Sequence, residues 1–404
     1  MVDGKPYFVR GVAYNPGHDW RDGNVPVTRR RVDLDFQKIR EMGANTIRRY
    51  GVGSYDYNIS KSAKEHDLKV LFGFWFDQDL DYSVNSAKLR AYRKQVEKTV
   101  RKYKDDPTIL AWGLGNEVWG LLKHHYAQPH LTEVRHAYVE FVEELAKEIH
   151  AIDPSHPVFV AHEAGDHISG TLADFATGAP SVDFTAINAY YDPQLGQLKE
   201  ATAKFDPARP YLVSEFGPDG YWYEDLTPRD AQRNIVEEKG AKKAALYADR
   251  WTRHIQPQAG WSLGGVAYCW RDRMEATSTW FGMTDGEGRF KAPYFALRRL
   301  WTGKAEENLP RISQISGPSA PLAPGSRTSV QVALDAQGSP VNTWKWRVED
   351  DQFAPVTGLI DEGNTPGVIT LTAPRKPGVY RLYVSAIGGA GVDEANLPFV
   401  VSKP

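Results

Sequence analysis

Cysteine is nearly missing from this 404-residue chain: Cys269 is the only one. An internal disulfide is therefore excluded, and a disulfide-stapled scaffold with it. Cys269 lies in the apolar run GGVAYCW, where a thiol packs as a small hydrophobe. Long hydrophobic runs are missing too. No stretch approaches the roughly 18 unbroken apolar residues of a membrane-spanning helix. Nor is there an excess of charge of either sign: the formal net charge is -2, with 25% charged residues. That leaves no electrostatic case for nucleic acid or an acidic membrane surface as partner. There is no glycine-rich phosphate loop and no GxSxG elbow, so no cofactor is indicated and a Ser-His-Asp hydrolase has no support. The opening MVDGKPYFVRG has no apolar signal core and runs straight into a strand pattern. The expectation is a trimmed piece of a longer protein, secreted or periplasmic in preference to cytoplasmic. Oligomeric state is left open.

Aromatic residues are what the chain has in plenty, with 12 Trp and 20 Tyr. Flat rings fill cores, and they also stack on sugar faces. Up to about residue 270, eight short apolar runs alternate with helical patterns. They are YFVRGVAY (7–14), ANTIRRY (44–50), LKVLFGFWF (68–76), TILAWGLG (108–115), PVFVAH (157–162), DFTAINAY (183–190), PYLVSEF (210–216) and GGVAYCW (264–270). Several are apolar throughout, as parallel strands covered on both faces must be. The intervening segments, such as LRAYRKQVEKTVRKY (89–103), are amphipathic at helical period. Eight strand–helix units predict a (β/α)8 barrel, an α/β fold, with a doubly wound open sheet as the competitor. After Trp301 the texture changes. NLPRISQISGPSAPLAPGS reads as a linker. The alternating runs RTSVQVAL, TWKWRVED, GVITLTA, GVYRLYVSAI and LPFVVS then predict a small all-β, immunoglobulin-like sandwich. The expected division is 1–304 for the barrel and 305–404 for the sandwich.

Barrel enzymes carry their chemistry at the C-terminal ends of the strands. Two runs end on a carboxylate there: Glu117 in GNEVWG after the fourth, and Glu215 in VSEFG at the seventh. Strands four and seven face each other across a barrel mouth, and a carboxylate pair there can cleave a glycosidic bond. One carboxyl must keep its proton for the leaving oxygen, and the other must be ionised to attack the anomeric carbon. Glu117, among Trp112, Val118 and Trp119, is the group that poor solvation would keep protonated. Arg48, ending the second run in TIRRYG, is placed to keep Glu215 charged. Asn116 is a candidate partner for the sugar 2-hydroxyl.

GNEV and VSEFG, in this order on these strands, resemble the clan A retaining glycosidases. The match is best to the catalytic barrel of glycoside hydrolase family 2. KPYFVRGVAYNP resembles that family's first strand, GANTIRRYG its second, AINAYY its sixth, and STWFGMTDGEGRFKAPYFALRRL its closing segment. The resemblance covers roughly residues 4 to 302. It implies Glu117 as acid/base, Glu215 as nucleophile, Asn116 on the 2-hydroxyl, Tyr190 orienting the nucleophile, Trp270 as floor of the subsite that holds the cleaved sugar, and Arg48 as the strand-two arginine. IRRYGV departs from the family's usual run and resembles β-glucan-active relatives in the clan. PGVYRLYVSAIGGAG looks like an accessory module.

Other residues are weighed as sugar contacts. His162, ending the fifth run, is read as a cleft residue that hydrogen-bonds a substrate hydroxyl. Trp75, Trp119 and Trp222, with Trp280, fall at or near strand-end loops as candidate platforms, and Tyr221-Trp222-Tyr223 as a wall beside the nucleophile. The HEAGDH run (162–167) spaces its histidines five apart instead of four, against a helical zinc site. FDQDLDY fails as a calcium loop, with Tyr82 where Gly is needed and Lys88 where Glu is. The favoured activity is hydrolysis of a β-linked oligo- or polysaccharide, β-glucan foremost, by double displacement. Transglycosylation at the same site and non-catalytic carbohydrate binding are the alternatives.

Overall fold

Each of the eight apolar runs forms a strand, and all eight pair in parallel into one closed barrel, each with its neighbour in sequence and the last with the first. The strands are β1 (Val9–Ala13), β2 (Thr46–Arg49), β3 (Lys69–Phe74), β4 (Ile109–Asn116), β5 (Val158–Glu163), β6 (Phe184–Asn188), β7 (Tyr211–Phe216) and β8 (Ser262–Ala267). The structure is a computed structural model and describes residues 2, 4–15 and 27–402. The open-sheet alternative is excluded by the pairing of Val9 with Gly264. That seam requires glycine: Gly264 has φ +118°, and an added Cβ would lie 2.3 Å from the Val9 carbonyl oxygen.

Helices fill the connections: α1 (Arg29–Glu41), α2 (Asp56–Glu65), α3 (Ala87–Tyr103), α4 (Val118–Leu121), α5 (His130–Ile152), α6 (Ile168–Gly178), α7 (Asp192–Phe205), α8 (Gly240–Arg250) and α9 (Ala292–Thr302). Local chemistry sets their ends. The Thr28 hydroxyl accepts from the Arg31 amide and Ser86 accepts from Leu89, two N-caps. Val32, Phe36 and Ile39 make the buried stripe of α1, the 3.6-residue spacing of an amphipathic helix. Among the described residues no helix is long and apolar enough to cross a membrane.

By compactness the described chain forms two units. The first comprises residues up to 216 and 249–268, and the second 217–248 and 269–402. The second unit holds two antiparallel sheets, ordered β12-β13-β10-β9 and β11-β14-β15. Their strands are β9 (Ile312–Ser316), β10 (Arg327–Leu334), β11 (Thr343–Asp350), β12 (Ile360–Glu362), β13 (Val368–Thr372), β14 (Gly378–Gly388) and β15 (Gly391–Val401). Val330, Val348, Leu371, Leu382 and Phe399 are among the buried residues of its core. One expectation is corrected here. The stretch read as a linker contains β9, an edge strand whose Ile312 and Ile315 pack on the core. Apart from Pro310 just before it, the prolines and glycines that suggested a linker lie beyond it, from Gly317 to Gly325.

The same unit encloses an ionic cluster. Lys291 Nζ sits 2.8 and 2.9 Å from the two carboxylate oxygens of Asp272 and 3.2 Å from Glu394 of β15. Lys243 pairs with Glu237, which also accepts from Asn396 at 2.5 Å. Burial raises the Asp272 pKa, against the pull of Lys291.

Candidate active site

The barrel brings Arg48, Asn116, Glu117, Tyr190 and Glu215 into one hydrogen-bonded cluster in the first unit. Strand alternation explains who points inward. In Arg48-Arg49-Tyr50 the first and third side chains face the barrel interior. Arg49, of opposite parity, is buried in an ion pair with Asp56 at 2.9 Å. Irregular register at the rim aims the others. The ladders shift between Gly113 and Asn116 on β4, and between Ile187 and Asn188 on β6, where a bulge redirects side chains. Gly115 has φ +79° and Glu117 itself φ +58°. A left-handed conformation is costly for a residue with a side chain, and such strain collects at working sites. The chain turns there, and Glu117 is held by the turn at the head of α4.

Glu215 is held by three donors. Arg48 Nη1 reaches its Oε1 at 3.0 Å, the Tyr50 hydroxyl the same oxygen at 2.5 Å, and the Tyr190 hydroxyl its Oε2 at 2.5 Å. Arg48 also donates to the Ser214 carbonyl at 2.8 Å, to Asn188 Oδ1 at 3.0 Å and to Asn116 Oδ1 at 2.7 Å. Its guanidinium lies 4.2 Å from the centroid of the Tyr50 ring. Asn188 links Glu117 to Arg48, which in turn holds Glu215. Its Nδ2 donates to Glu117 Oε1 at 2.7 Å and to Asn116 Oδ1 at 3.1 Å, while its Oδ1 accepts from Arg48 and from the Ser214 hydroxyl. The Asn116 oxygen is thus used twice, while its amide NH2 can only donate.

The Glu117 pKa is raised. Burial is the main cause, followed by the neighbouring carboxylates of Glu215 and Glu163, against the Asn188 hydrogen bond and Arg48. Tyr190 is pushed far up, first by burial and then by Glu215, so its phenol stays a donor. The cluster therefore offers a carboxyl that holds a proton and a carboxylate whose charge is met by a guanidinium and two hydroxyls.

His162 is not in this cluster. It is 1% exposed, and its ring lies 4.6 Å from that of Phe175 on α6. It faces the helix layer, and its pKa is lowered to about 3, chiefly by burial. The next residue, Glu163, has the inward parity. Trp119 is 6% exposed, stacked on His167, with the Arg135 guanidinium 3.6 Å from its ring centroid, so it presents no free face to a sugar. Trp75 does: it follows β3, is 43% exposed, and packs its Cβ where Gly51 leaves room. In the second unit, Trp222 is 46% exposed, stacked at 6.3 Å on Phe281. Trp280 and Trp270 are buried there, Trp270 edge-on to Tyr294, with its indole N–H unpartnered. Cys269 is buried, as expected of a packing thiol.

Tyr50, Asn188 and Ser214 were not singled out from the sequence. Each sits one or two residues from one that was, and the two-residue period of a strand would have found Tyr50 from Arg48 and Asn188 from Tyr190. Among the described residues one group has metal-like spacing: Asp192, Asp249 and His254, with ligand atoms within 4.8 Å. Arg253 already pairs with both aspartates, which meets their charge without an ion.

The family model for the TIM barrel domain of glycosyl hydrolases family 2 matches residues 62–222. The β-mannosidase of Mus musculus is 31% identical over 117 residues, 29% of this chain and 13% of that protein. The β-glucuronidase of Homo sapiens is 26% identical over 241 residues, 54% of this chain and 32% of that one. A β-glucuronidase of Bacteroides uniformis superposes with TM-score 0.57 at 15% identity, over 100% of this chain and 47% of its own. A GH2 β-galacturonidase of Eisenbergiella tayi, bound to galacturonate, gives TM-score 0.57 at 14% identity, over 75% and 52%. At such identities the structural likenesses speak for the fold alone. The chain spans a third or less of the length of these curated relatives. The closed barrel and the match over its middle strands agree: residues 62–222 are similar to the TIM barrel domain of glycosyl hydrolases family 2, and they lie in a closed eight-stranded parallel barrel.

Proposed function

We propose that the chain is a β-glycosidase working by double displacement. A Glu215 oxygen attacks the anomeric carbon as the bond to the leaving oxygen breaks, and Glu117 gives that oxygen its proton. Glu117, now a carboxylate, takes a proton from the incoming acceptor. The acceptor oxygen attacks the anomeric carbon, the ester bond breaks, and Glu215 is regenerated. The observation that supports this most is the chain of hydrogen bonds from Glu117 through the Asn188 amide and the Arg48 guanidinium to Glu215, at the C-terminal rim of a closed barrel. The relatives include a β-mannosidase and β-glucuronidases, which supports cleavage of a β-glycosidic bond.

The test is Glu215→Ala with added azide. The variant should lose turnover of an aryl β-glycoside and regain it by forming a glycosyl azide of inverted configuration. An active wild type whose variant forms no azide adduct would overturn the assignment of the nucleophile. For substrate we propose a β-linked oligosaccharide or polysaccharide, β-glucan foremost, with Trp75 as a platform beyond the cleaved sugar; its exposed ring supports that reading. A screen of aryl β-glucosides, galactosides, mannosides and glucuronides against β-glucan oligomers decides it. Turnover confined to the small glucuronides would refute the β-glucan reading. An exposed ring also suits a sugar acceptor, which favours transglycosylation as a second reading; purely hydrolytic products at high donor concentration would remove it.

A further inference from the structure

A third carboxylate stands beside Glu117, and the double displacement makes no use of it. Glu163 ends β5, and its register partner on β6 is Asn188, the residue bonded to Glu117. Across from it, three residues past Glu117, is Gly120 of α4. A Cβ at Gly120 would stand 1.5 Å from Glu163 Oε1 and 2.5 Å from His167 Nε2. Only glycine there lets the carboxylate lean against the helix that Glu117 heads. His167 Nε2 lies 2.9 Å from Glu163 Oε1, and its imidazole stacks on Trp119 at 6.1 Å and 22°. Yet neither atom has a hydrogen bond of good alignment, and both are buried. The two stand at ion-pair distance without an aligned hydrogen bond between them.

The charges around Glu117 make this matter. Glu215 faces it from β7, but that charge is met by Arg48, Tyr50 and Tyr190. From β2 Arg48 itself opposes proton retention, as does the Asn188 hydrogen bond from β6. From α5, Arg135 and Tyr138 both feel Glu163; the Arg135 guanidinium, stacked over the Trp119 ring and donating to its carbonyl at 3.0 Å, offsets part of the Glu163 charge without bonding to it. The nearest basic group to Glu163 is His167, at ion-pair distance but with no aligned hydrogen bond. A negative charge so placed favours the neutral form of a neighbouring carboxyl.

We propose that Glu163 is a positioning residue for proton transfer, held against α4 by the missing side chain of Gly120, and that its charge keeps the proton on Glu117 until the leaving oxygen takes it. The proposal rests on the reading of Glu117 as acid/base. It is separable from that reading, because it can be tested without substrate. The protein is labelled with 13C at the glutamate side-chain carboxyls, the Glu117 resonance is assigned by its loss in E117Q, and it is titrated from acid to alkaline pH. In E163Q the Glu117 midpoint should fall by about one pH unit or more, with the circular dichroism spectrum unchanged. E163D, which keeps the charge, should return it toward wild type. In turnover of an aryl β-glycoside, the alkaline limb of kcat/KM should move down by the same amount. A merely structural role predicts a midpoint unmoved in E163Q, and that result overturns the proposal. Should E163Q not fold, G120A displaces the carboxylate without removing it and should lower the midpoint by less. An unmoved midpoint there overturns the proposal equally.

Discussion

Asn188 donates to Glu117 at 2.7 Å, and the oxygen of the same amide accepts from Arg48 at 3.0 Å. The amide is fixed in orientation by these two contacts, since only its nitrogen can serve the first and only its oxygen the second. Asn188→Asp would replace the donor with an acceptor facing a carboxyl. Activity on an aryl β-glycoside should fall on the order of a hundredfold in kcat/KM, measured in steady state with folding checked by circular dichroism.

Tyr50→Phe removes one of two hydroxyls on Glu215 and leaves the ring over Arg48. Hydrogen bonds to charged groups are worth about 1.5–3 kcal/mol, so kcat/KM should drop about tenfold to a hundredfold. Because the ring is retained, the thermal midpoint should scarcely move. A large loss of stability with unchanged activity would assign Tyr50 to packing instead.

The raised pKa of Glu117 has a cost with a definite sign. Below the ordinary glutamate range both folded and unfolded chains hold the proton. As pH climbs through about 4.3, the unfolded chain releases it and the folded one does not. Stability is therefore lost with rising pH until the folded value is passed. Glu117→Gln removes that penalty. Its melting temperature should match wild type in acid and exceed it at neutral pH by on the order of 2–4 °C, while turnover collapses. Scanning calorimetry across the pH range checks both ends.

In the second unit, Lys291→Met would leave Asp272 and Glu394 buried without their shared cation. Removing one partner of a buried ionic group costs about 3–5 kcal/mol. Denaturant unfolding should show that loss, whereas Lys345→Met, at an exposed pair with Glu287, should cost about 1 kcal/mol or less.

The barrel was legible in the sequence because its strands are buried on both faces and so read as apolar runs, each flanked by a helical stripe. Glu117, Glu215 and Arg48 were legible because all three stand at or beside strand ends. What the sequence hid was parity. His162 and Glu163 are adjacent polar residues at the end of β5, and only the barrel shows that the first packs on Phe175 while the second points inward. Trp119 and Trp75 look alike as strand-end tryptophans; the difference is that His167 and Arg135 cover one of them. β9 was hidden by the proline-rich segment after it. Its own five residues are too short and too polar to stand out, because an edge strand buries one side chain in two at most.

The seam between Val9 and Gly264 joins the first strand of the barrel to the last. During synthesis β1 leaves the ribosome long before its second neighbour exists, and its open flank must wait, exposed to other chains, until β8 arrives. The ring can be sealed only at the end of its own translation, so a ribosome that stalls before residue 264 releases a sheet with two sticky margins.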